Sequence, residues 1–142
     1  MRVQDIMSTN LITVETGEPV AAAARLMRER NIGSIPVKHE DGTLAGMLTD
    51  RDIVLRCVAP GRDPATVRIE QIMSTGAVTA APGEDVTAAL SRMRTEQVRR
   101  LPVTEGDRLV GMLSLADVAR TQKLDMEAAQ ALSGITANIC RK

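Results

Sequence analysis

The chain has 142 residues, with 18 basic and 18 acidic side chains and no Phe, Tyr or Trp. This length suits one ordinary domain or two very small domains fused together. The zero net charge argues against nucleic-acid binding, which needs a basic excess or a basic stripe, and the lack of aromatic rings removes any platform on which bases could stack.

The cysteine content indicates the compartment, and the histidine content bears on metal binding. Cys57 and Cys140 are too few for a disulfide framework, and we interpret them as free thiols in a reducing cytoplasm. The single histidine, His39, lies in a polar turn where we expect it to be solvated. With only one histidine in the chain, we do not expect a metal site. No apolar run approaches the roughly 18 residues that span a bilayer, and the first residues carry no apolar signal. These observations predict a soluble cytoplasmic protein without a metal and without a membrane partner.

One stretch of the sequence occurs twice. The two copies open with Ile6-Met7-Ser8-Thr9 and Ile72-Met73-Ser74-Thr75, sixty-six positions apart, and continue to Pro36-Val37 and Pro102-Val103. After a contraction of one residue, the run 44–48 matches the run 109–113. Two copies do not make a solenoid, which needs about three or more repeats. We therefore expect a pseudo-two-fold pair that folds cooperatively and forms two symmetric clefts.

In the first repeat, the patterns predict a strand, a helix, two strands and a second helix. Ile12-Thr13-Val14 is a short extended run, and Pro19 opens a helix whose apolar residues recur at helical spacing up to Met27. Strands at 35–37 and 44–48 flank the polar turn 40–43. The second helix begins near Thr49, and we expect it to carry four side chains inward: Ile53, Val54, Cys57 and Val58.

The second repeat follows the same course after a connector whose Pro and Gly residues break the helix. The predicted elements are a strand at 78–79, a helix over 86–93, strands at 101–103 and 109–113, and a helix from Ser114. Beyond them, a short helix is predicted that ends at Ser133-Gly134 and packs against the body or a second subunit, with the apolar residues Leu124, Ala128, Ala131 and Leu132. We divide the chain into a first repeat at 3–58, a linker at 59–68, a second repeat at 69–122 and a tail at 123–142.

Each repeat carries a hydroxyl and an acidic residue where a strand turns into a helix. The motifs are Thr49-x-x-Asp52 and Ser114-x-x-Asp117. One interpretation is a capping box, which stabilises the start of a helix by about 1 kcal/mol. The other is a ligand site, in which the hydroxyl and the helix start contact a phosphate and the carboxylate accepts hydrogen bonds from ribose hydroxyls. The hydroxyl can serve both purposes.

The repeated blocks resemble a pair of CBS domains, the cystathionine β-synthase motif whose tandem pairs are called Bateman modules. The resemblance lies in Asp5-Ile6-Met7, 32–37 and 46–53 in the first half, and in 71–73, 98–103 and 111–118 in the second half. The layout is similar to short stand-alone bacterial CBS pairs, including the hypoxic-response type. The resemblance implies an α/β (α+β) fold of two pseudo-symmetric repeats packed as one Bateman module. It also implies a sensor that binds AMP, ADP, ATP or S-adenosylmethionine in clefts between the repeats and signals to an effector protein.

The resemblance assigns the ligand-binding residues crosswise. The first cleft would combine Met47, Thr49, Arg51 and Asp52 with Met73, Val78, Val98 and Arg99, and with Arg100 nearby. The second cleft would combine Met112, Ser114, Ala116 and Asp117 with Met7, Ile12, Ile32 and Gly33. The apolar members would sandwich the adenine ring, although each methionine taken singly suits an ordinary core equally well.

Charge distinguishes the two predicted clefts. Arg99-Arg100 stands where the first repeat has Gly33-Ser34, and Arg51 stands where the second repeat has Ala116. A surface Arg pair can serve solubility alone, but the planar guanidinium also suits two oxygens of a phosphate. We therefore expect the first cleft to be the more basic and to prefer phosphorylated ligands.

The sequence contains no catalytic constellation, no glycine-rich phosphate loop and no metal-ligand spacing, so we do not expect an enzyme. No cofactor is expected beyond an adenine nucleotide as regulatory ligand. The alternatives left open are a sensor of S-adenosylmethionine or another adenosyl ligand, and an interaction module that has lost its ligand. The resemblance also implies a homodimer, because members of the family commonly dimerise. We expect two modules to form a flat disc through the Ala- and Met-rich helices at 20–27 and 86–93, which offer small, adaptable apolar surfaces.

Overall fold

A computed structural model describes residues 1–121 and 125–140, with side chains for 1–121 and 129–136. The elements are α1 (Val3–Ile6), β1 (Val14–Glu15), α2 (Val20–Arg30), β2 (Ser34–Lys38), β3 (Leu44–Thr49), α3 (Asp50–Ile53), α4 (Val86–Glu96), β4 (Arg100–Glu105), β5 (Arg108–Ser114), α5 (Leu115–Ala119) and α6 (Asp125–Cys140). Helix α3 continues as a π-helical turn, Val54–Val58, and a short 3₁₀ turn spans Ile69–Gln71. The predicted order of strands and helices is confirmed in the first repeat and, apart from the strand predicted at 78–79, in the second repeat, and the mixed α+β class is confirmed.

The chain packs as two units that cross the boundaries of the sequence repeats. The contiguous unit is Ile12–Ala77, and the split unit combines Met1–Leu11 with the chain from Val78 onward. The segment that opens each repeat is therefore packed against the other repeat. Each unit has its own core of aliphatic and methionine side chains.

The contiguous unit is built on a three-stranded sheet in the order β1-β2-β3. Strand β1 pairs in parallel with β2, and β2 pairs antiparallel with β3, with Ile35 opposite Leu48. Pro19 is the N-cap of α2, where the missing N–H costs nothing, and Asn31 ends that helix in the left-handed region with a φ of 53°. The buried core residues are Val14, Val20, Ala23, Met27, Ile35, Val37, Leu48, Ile53, Cys57, Val67, Ile69 and Ile72. Cys57 is a free thiol, and Cys140 lies outside the residues whose side chains are described.

The split unit is built on the antiparallel pair β4-β5, with Leu101 opposite Leu113. The strand predicted at 78–79 is reduced to a single parallel bridge between Ala80 and Val103. Asp85 caps α4, because its carboxylate accepts hydrogen bonds from the hydroxyl and the amide of Thr87. The Thr87 hydroxyl, together with the amide, holds the pKa of Asp85 below its usual value.

In each unit, a pair of backbone hydrogen bonds attaches the opening segment of one repeat to a strand of the other repeat. In the contiguous unit, the Met47 amide donates to the Ser74 carbonyl at 3.0 Å, and the Ser74 amide donates to the Met47 carbonyl at 2.9 Å. In the split unit, Ser8 and Met112 form the same reciprocal pair, at 2.8 and 2.9 Å. These bonds join residues that lie far apart in the sequence.

The prediction that the helix after Thr49 carries four side chains inward is half wrong. Ile53 and Cys57 are buried, whereas Val54 and Val58 are 53% and 59% exposed. Residues four apart share one helix face, so the pair 53 and 57 takes the core side. Val54 and Val58 follow by one position, a rotation of about 100°, and this rotation turns them outward.

The prediction that the last helix ends at Ser133-Gly134 is wrong, because α6 continues through both residues to Cys140. A side chain at position 134 would overlap the Arg94 side chain of α4. Glycine therefore serves close helix packing here, and not helix termination. Ala131 is buried in this packing as expected, Leu132 is 40% exposed, and the side chains of Leu124 and Ala128 lie outside the described residues.

Within the described residues, no helix combines the length and the apolar character that a membrane span requires.

Gly46 and Gly111 occupy equivalent positions and allow a matched test of how closely the segments of Ser74 and Ser8 pack on their strands. A Cβ at Gly46 would overlap the backbone carbonyl of Ser74, whereas a Cβ at Gly111 would mainly meet the flexible Met7 Sδ, at 2.6 Å, and the Ser8 carbonyl at 3.1 Å. Overpacking costs about 1–3 kcal/mol. We expect Gly46→Ala to lower the free energy of unfolding by an amount in the upper part of that range, and Gly111→Ala to lower it less, because a side chain can move aside more easily than a backbone. Urea unfolding of the two variants measures the two losses in unfolding free energy. Equal losses would contradict the view that the backbone contact at Gly46 is less tolerant than the side-chain contact at Gly111.

Candidate functional site

The predicted motif in the contiguous unit forms a complete capping box. Thr49 is the N-cap of α3, the Asp52 amide donates to the Thr49 hydroxyl oxygen at 3.1 Å, and the Thr49 amide donates to Asp52 Oδ2 at 3.0 Å. This reciprocal arrangement occupies the hydroxyl lone pairs only in part and uses one of the two carboxylate oxygens. The capping interpretation is therefore correct, and it leaves room for the ligand interpretation.

The second carboxylate oxygen of Asp52 faces other partners. The Ser74 hydroxyl donates to Asp52 Oδ1 at 3.4 Å, and the Arg56 Nε lies 4.0 Å from the same oxygen. The Arg56 guanidinium also donates to the Ile72 carbonyl at 3.0 Å and the Met73 carbonyl at 3.3 Å. Asp52 is only 9% exposed and is the one polar side chain classed as buried among the described residues. A buried carboxylate with one weakly bound oxygen is suited to accept a further hydrogen bond from a ligand.

Two of the predicted apolar residues lie beside this turn. Met47 forms the backbone bridge with Ser74, and the Met73 Sδ lies next to Gly46 on the same strand. Met47 and Met73 are both half-buried. The structure thus brings Met47, Thr49, Asp52 and Met73 together within one unit.

Arg51 and Gly33 also lie at the start of α3. Arg51 is exposed and borders a groove of about 330 Å³ whose other lining residues are Asp50, Val54 and Leu55. The Asp50 amide donates to the Gly33 carbonyl at 3.0 Å, and a Cβ at Gly33 would lie 3.0 Å from Asp50 Oδ2. Gly33 therefore adjoins the helix start of its own unit.

The split unit repeats the turn with a different environment. The Asp117 amide donates to the Ser114 hydroxyl oxygen at 3.0 Å, and the Ser114 amide donates to Asp117 Oδ2 at 3.2 Å. The second oxygen, Oδ1, accepts a hydrogen bond from Arg120 Nη1 at 3.1 Å. Position 120 corresponds to Leu55 in the first repeat, so this ion pair has no counterpart at the equivalent position of the contiguous unit.

Two of the three arginines predicted to lie near a phosphate, Arg99 and Arg100, line a pocket of the split unit. Arg99 and Arg100 border a volume of about 310 Å³ together with Ser114, Leu115, Ala116, Ala119 and Leu132. The Leu115 amide donates to the Arg99 carbonyl at 2.8 Å, which is the same contact that Asp50 makes with Gly33. Both guanidinium groups are exposed, as is expected of groups that could reach an anion.

The remaining predicted residues are distributed over both units. Met7 adjoins Gly111 in the split unit, which also contains Val78, Val98 and Met112, whereas Ile12 and Ile32 belong to the contiguous unit. Predicted groupings that combine residues of both units stay predictions.

Sequence reasoning missed several residues that hold the carboxylates: Ser74, Arg56 and Arg120. Arg56 and Arg120 follow their aspartates by four and three positions, the spacing at which helical side chains meet, so this signal was available. Ser74 belongs to the repeated Ile-Met-Ser-Thr motif, but its contact with Asp52 depends on a long-range bridge.

In the part of the chain that the structure describes, no group of three or more His, Cys, Asp or Glu side chains is arranged to hold a metal ion.

Comparison with known proteins identifies the family. A family model described as the CBS domain matches residues 3–58 and 69–123. The CBS domain-containing protein YhcV of Bacillus subtilis is 42% identical over 134 residues, which is 94% of this chain and 94% of the relative.

Solved structures agree with this match. The crystal structure of Hypoxic Response Protein I with two coordinated zinc ions is 38% identical, covers 84% of this chain and 98% of that one, and superposes with a TM-score of 0.78. The CBS-domain pair of protein MJ0100, solved in complex with 5′-methylthioadenosine and S-adenosyl-L-methionine, is 29% identical with a TM-score of 0.73, over 84% and 94% of the two chains. The chain belongs to the CBS-domain family, as a tandem pair with the fold of a Bateman module.

Proposed function

We propose that this CBS-domain pair, a regulatory module, senses an adenine nucleotide. The observation that carries the proposal is the same constellation in both units: a hydroxyl and a carboxylate held at a strand-to-helix turn, with one carboxylate oxygen not needed for the cap. Ribose hydroxyls would donate to that oxygen of Asp52 or Asp117. Neighbouring methionines, Met47 and Met73 in one unit and Met7 and Met112 in the other, supply polarisable apolar surface for the adenine ring.

The arginines favour a phosphorylated ligand. Arg99 and Arg100 line a pocket with the Ser114 hydroxyl, and Arg51 lies exposed two residues after Thr49. Hydrogen bonds between guanidinium and phosphate are charge-assisted and are stronger than neutral ones. AMP, ADP or ATP would therefore bind more tightly than adenosine.

A second candidate is a sensor of a methylated or sulfonium adenosyl compound. The MJ0100 domain pair, which is similar over most of this chain, was solved with 5′-methylthioadenosine and S-adenosyl-L-methionine. These ligands have the ribose and adenine groups of AMP but lack a phosphate. A thermal-shift series with AMP, ADP, ATP, adenosine, 5′-methylthioadenosine and S-adenosylmethionine separates the two candidates, because a ligand that binds only the folded protein raises its melting temperature.

We infer further that the chain self-associates and passes its ligand state to an effector protein. Large apolar side chains on the helices are left exposed, most of all at Val54, Leu55 and Val58. Exposed apolar patches on a soluble module are typical of interaction surfaces. The effector and the cytoplasmic location stay predictions, and so does the absence of a catalytic activity.

Substitution of Asp52 and Asp117 distinguishes a role in ligand binding from a role in helix capping alone. We expect Asp52→Ala and Asp117→Ala each to weaken AMP binding in its own unit by about ten- to a hundredfold, because each removes a hydrogen bond to a charged acceptor worth about 1.5–3 kcal/mol. Calorimetry measures the affinities. Asp85→Ala is the matched control, since it removes an N-cap carboxylate outside the site and should lower stability by about 1 kcal/mol with unchanged binding. If Asp52→Ala and Asp117→Ala behave like this control, the two carboxylates serve only as caps.

The arginines can be tested through phosphate preference. We expect Arg99→Ala and Arg51→Ala to weaken AMP binding about tenfold or more while leaving adenosine binding unchanged, and we expect the effect to shrink as salt is added. Arg62→Ala, an exposed arginine of the 59–68 connector, is the control. Calorimetry at low and high salt measures both ligands. If the double variant Arg51→Ala/Arg99→Ala keeps the full preference for AMP at low salt, the phosphate assignment is wrong.

The same data test the crosswise grouping predicted from the sequence. If Arg51 and Arg99 contact one ligand, the double variant loses the preference for AMP in one of two binding events. If each serves the turn of its own unit, both binding events lose it.

A further inference from the structure

The two turns differ in how a cation meets the carboxylate oxygen that the capping box does not use. In the split unit, Arg120 Nη1 donates to Asp117 Oδ1 at 3.1 Å, while Asp117 Oδ2 accepts from the Ser114 amide. In the contiguous unit, the Arg56 Nε lies 4.0 Å from Asp52 Oδ1, which is beyond hydrogen-bond distance. Asp117 Oδ1 is thus bonded to a cation, and Asp52 Oδ1 is not.

Backbone acceptors hold the Arg56 guanidinium. Its Nη1 donates to the Ile72 carbonyl at 3.0 Å and to the Met73 carbonyl at 3.3 Å. Asp52 Oδ1 is left with one long hydrogen bond, from the Ser74 hydroxyl at 3.4 Å. A hydroxyl bond of this length is weak, so Asp52 keeps its capacity to accept a hydrogen bond from a ligand.

The position of each arginine along its helix agrees with this difference. Arg120 follows its aspartate by three residues and Arg56 follows its aspartate by four, and both spacings bring side chains to one helix face. The first repeat has Leu55 at the position of Arg120, and the second repeat has Thr121 at the position of Arg56. Each repeat therefore places an arginine after its carboxylate but directs it to a different acceptor.

We propose that Arg120 is a specificity-determining residue, which competes with ribose hydroxyls for Asp117 Oδ1. This inference rests on the proposed function and concerns the regulation of the same site. A ligand has to displace the guanidinium or share the oxygen with it, and the weakened ion pair lowers the affinity of the split unit. The turn at Asp52 carries no such cost. We expect adenosine, which has no phosphate to engage an arginine, to fill the contiguous unit first.

The exposure of the ion pair determines the size of the effect. The Arg120 side chain is 76% exposed, and the Asp117 side chain is 20% exposed. Exposed ion pairs are weak and are screened by salt. We expect this contact to lower the adenosine affinity of the split unit about two- to fivefold at low salt, and by less as salt is added. Arg120 thus adjusts the affinity of the site and leaves it able to bind.

Calorimetry with adenosine and 2′,3′-dideoxyadenosine tests the competition. The variant Asp52→Ala, in which only the turn of the split unit keeps its carboxylate, is compared with Asp52→Ala/Arg120→Leu. Leucine is the residue that the first repeat has at this position. We expect the second substitution to raise the adenosine affinity about two- to fivefold. The affinity for dideoxyadenosine should stay unchanged, because that compound lacks the hydroxyl groups that would donate to Asp117.

Three further variants serve as matched comparisons. Asp52→Ala/Arg120→Lys keeps a cation beside the carboxylate, so it should bind adenosine as Asp52→Ala does. In the background Asp117→Ala, Leu55→Arg should weaken adenosine binding, because it places a guanidinium three residues after Asp52. Arg62→Leu removes an exposed arginine of the connector, outside both turns, and should change neither affinity. Because positions 55, 62 and 120 are exposed, the melting temperatures should stay close to those of the parent proteins.

The outcomes separate this inference from the proposed function. An unchanged adenosine affinity after Arg120→Leu overturns the competition, and so does an equal gain for dideoxyadenosine, which would show that leucine acts through apolar contact. Adenosine that binds the unmodified protein but neither Asp52→Ala nor Asp52→Ala/Arg120→Leu also overturns it, because Arg120 then does not control the site. If neither AMP nor adenosine binds the unmodified protein, the proposed function itself fails.

Discussion

Each unit depends on a pair of reciprocal backbone hydrogen bonds that joins its hairpin to a segment from elsewhere in the chain. Met47 pairs with Ser74 and Met112 pairs with Ser8, and in both cases a glycine precedes the methionine. The glycine is required because any side chain at that position would meet the incoming segment. The bridge also satisfies the amide and carbonyl groups that an edge strand would leave unpaired. Through it, Ser74 of the contiguous unit reaches Asp52, and Met73 comes next to the strand that leads into the turn.

The candidate site follows from this bridge more than from the local motif. The capping box needs only four consecutive residues, and the hydrogen bonds of Thr49 with Asp52 and of Ser114 with Asp117 could be read from the sequence. The environment of the free carboxylate oxygen could not, because Ser74 reaches Asp52 only through the bridge, whereas Asp117 instead meets Arg120. The two repeats therefore share a turn but hold its carboxylate differently. Asp52 Oδ1 accepts a hydrogen bond from the Ser74 hydroxyl at 3.4 Å, with Arg56 Nε 4.0 Å away. Asp117 Oδ1 accepts directly from Arg120 Nη1 at 3.1 Å, a bond that a ligand would have to displace or share.

The parts of the fold that the sequence predicted correctly are those determined by short-range pattern. Alternating apolar residues and Gly- or Pro-containing turns located the two hairpins, and the spacing of small apolar residues located α2 and α4. The errors arose where a contact with another helix decides the outcome. Val54 and Val58 are as apolar as Ile53, so composition alone did not show that they face outward. A glycine such as Gly134 is typical of the end of a helix, but here it lies where α6 contacts α4. Only its closeness to the Arg94 side chain distinguishes a helix contact from a helix end.

The exchange of segments has a consequence for the order in which the protein forms. The contiguous unit is complete once Ala77 has been synthesised, since every residue of its core lies between Val14 and Ile72. Residues 1–11 of the split unit cannot pack until the later part of the chain, including β5, has been synthesised. The reason is that Val3 belongs to a core that is otherwise built from residues after the contiguous unit. Joining ends so far apart carries a larger loop-closure entropy, and folding slows as contacts become less local. On the ribosome, the contiguous unit would fold first and hold the intervening chain compact, which shortens the search by which the amino-terminal segment finds its place.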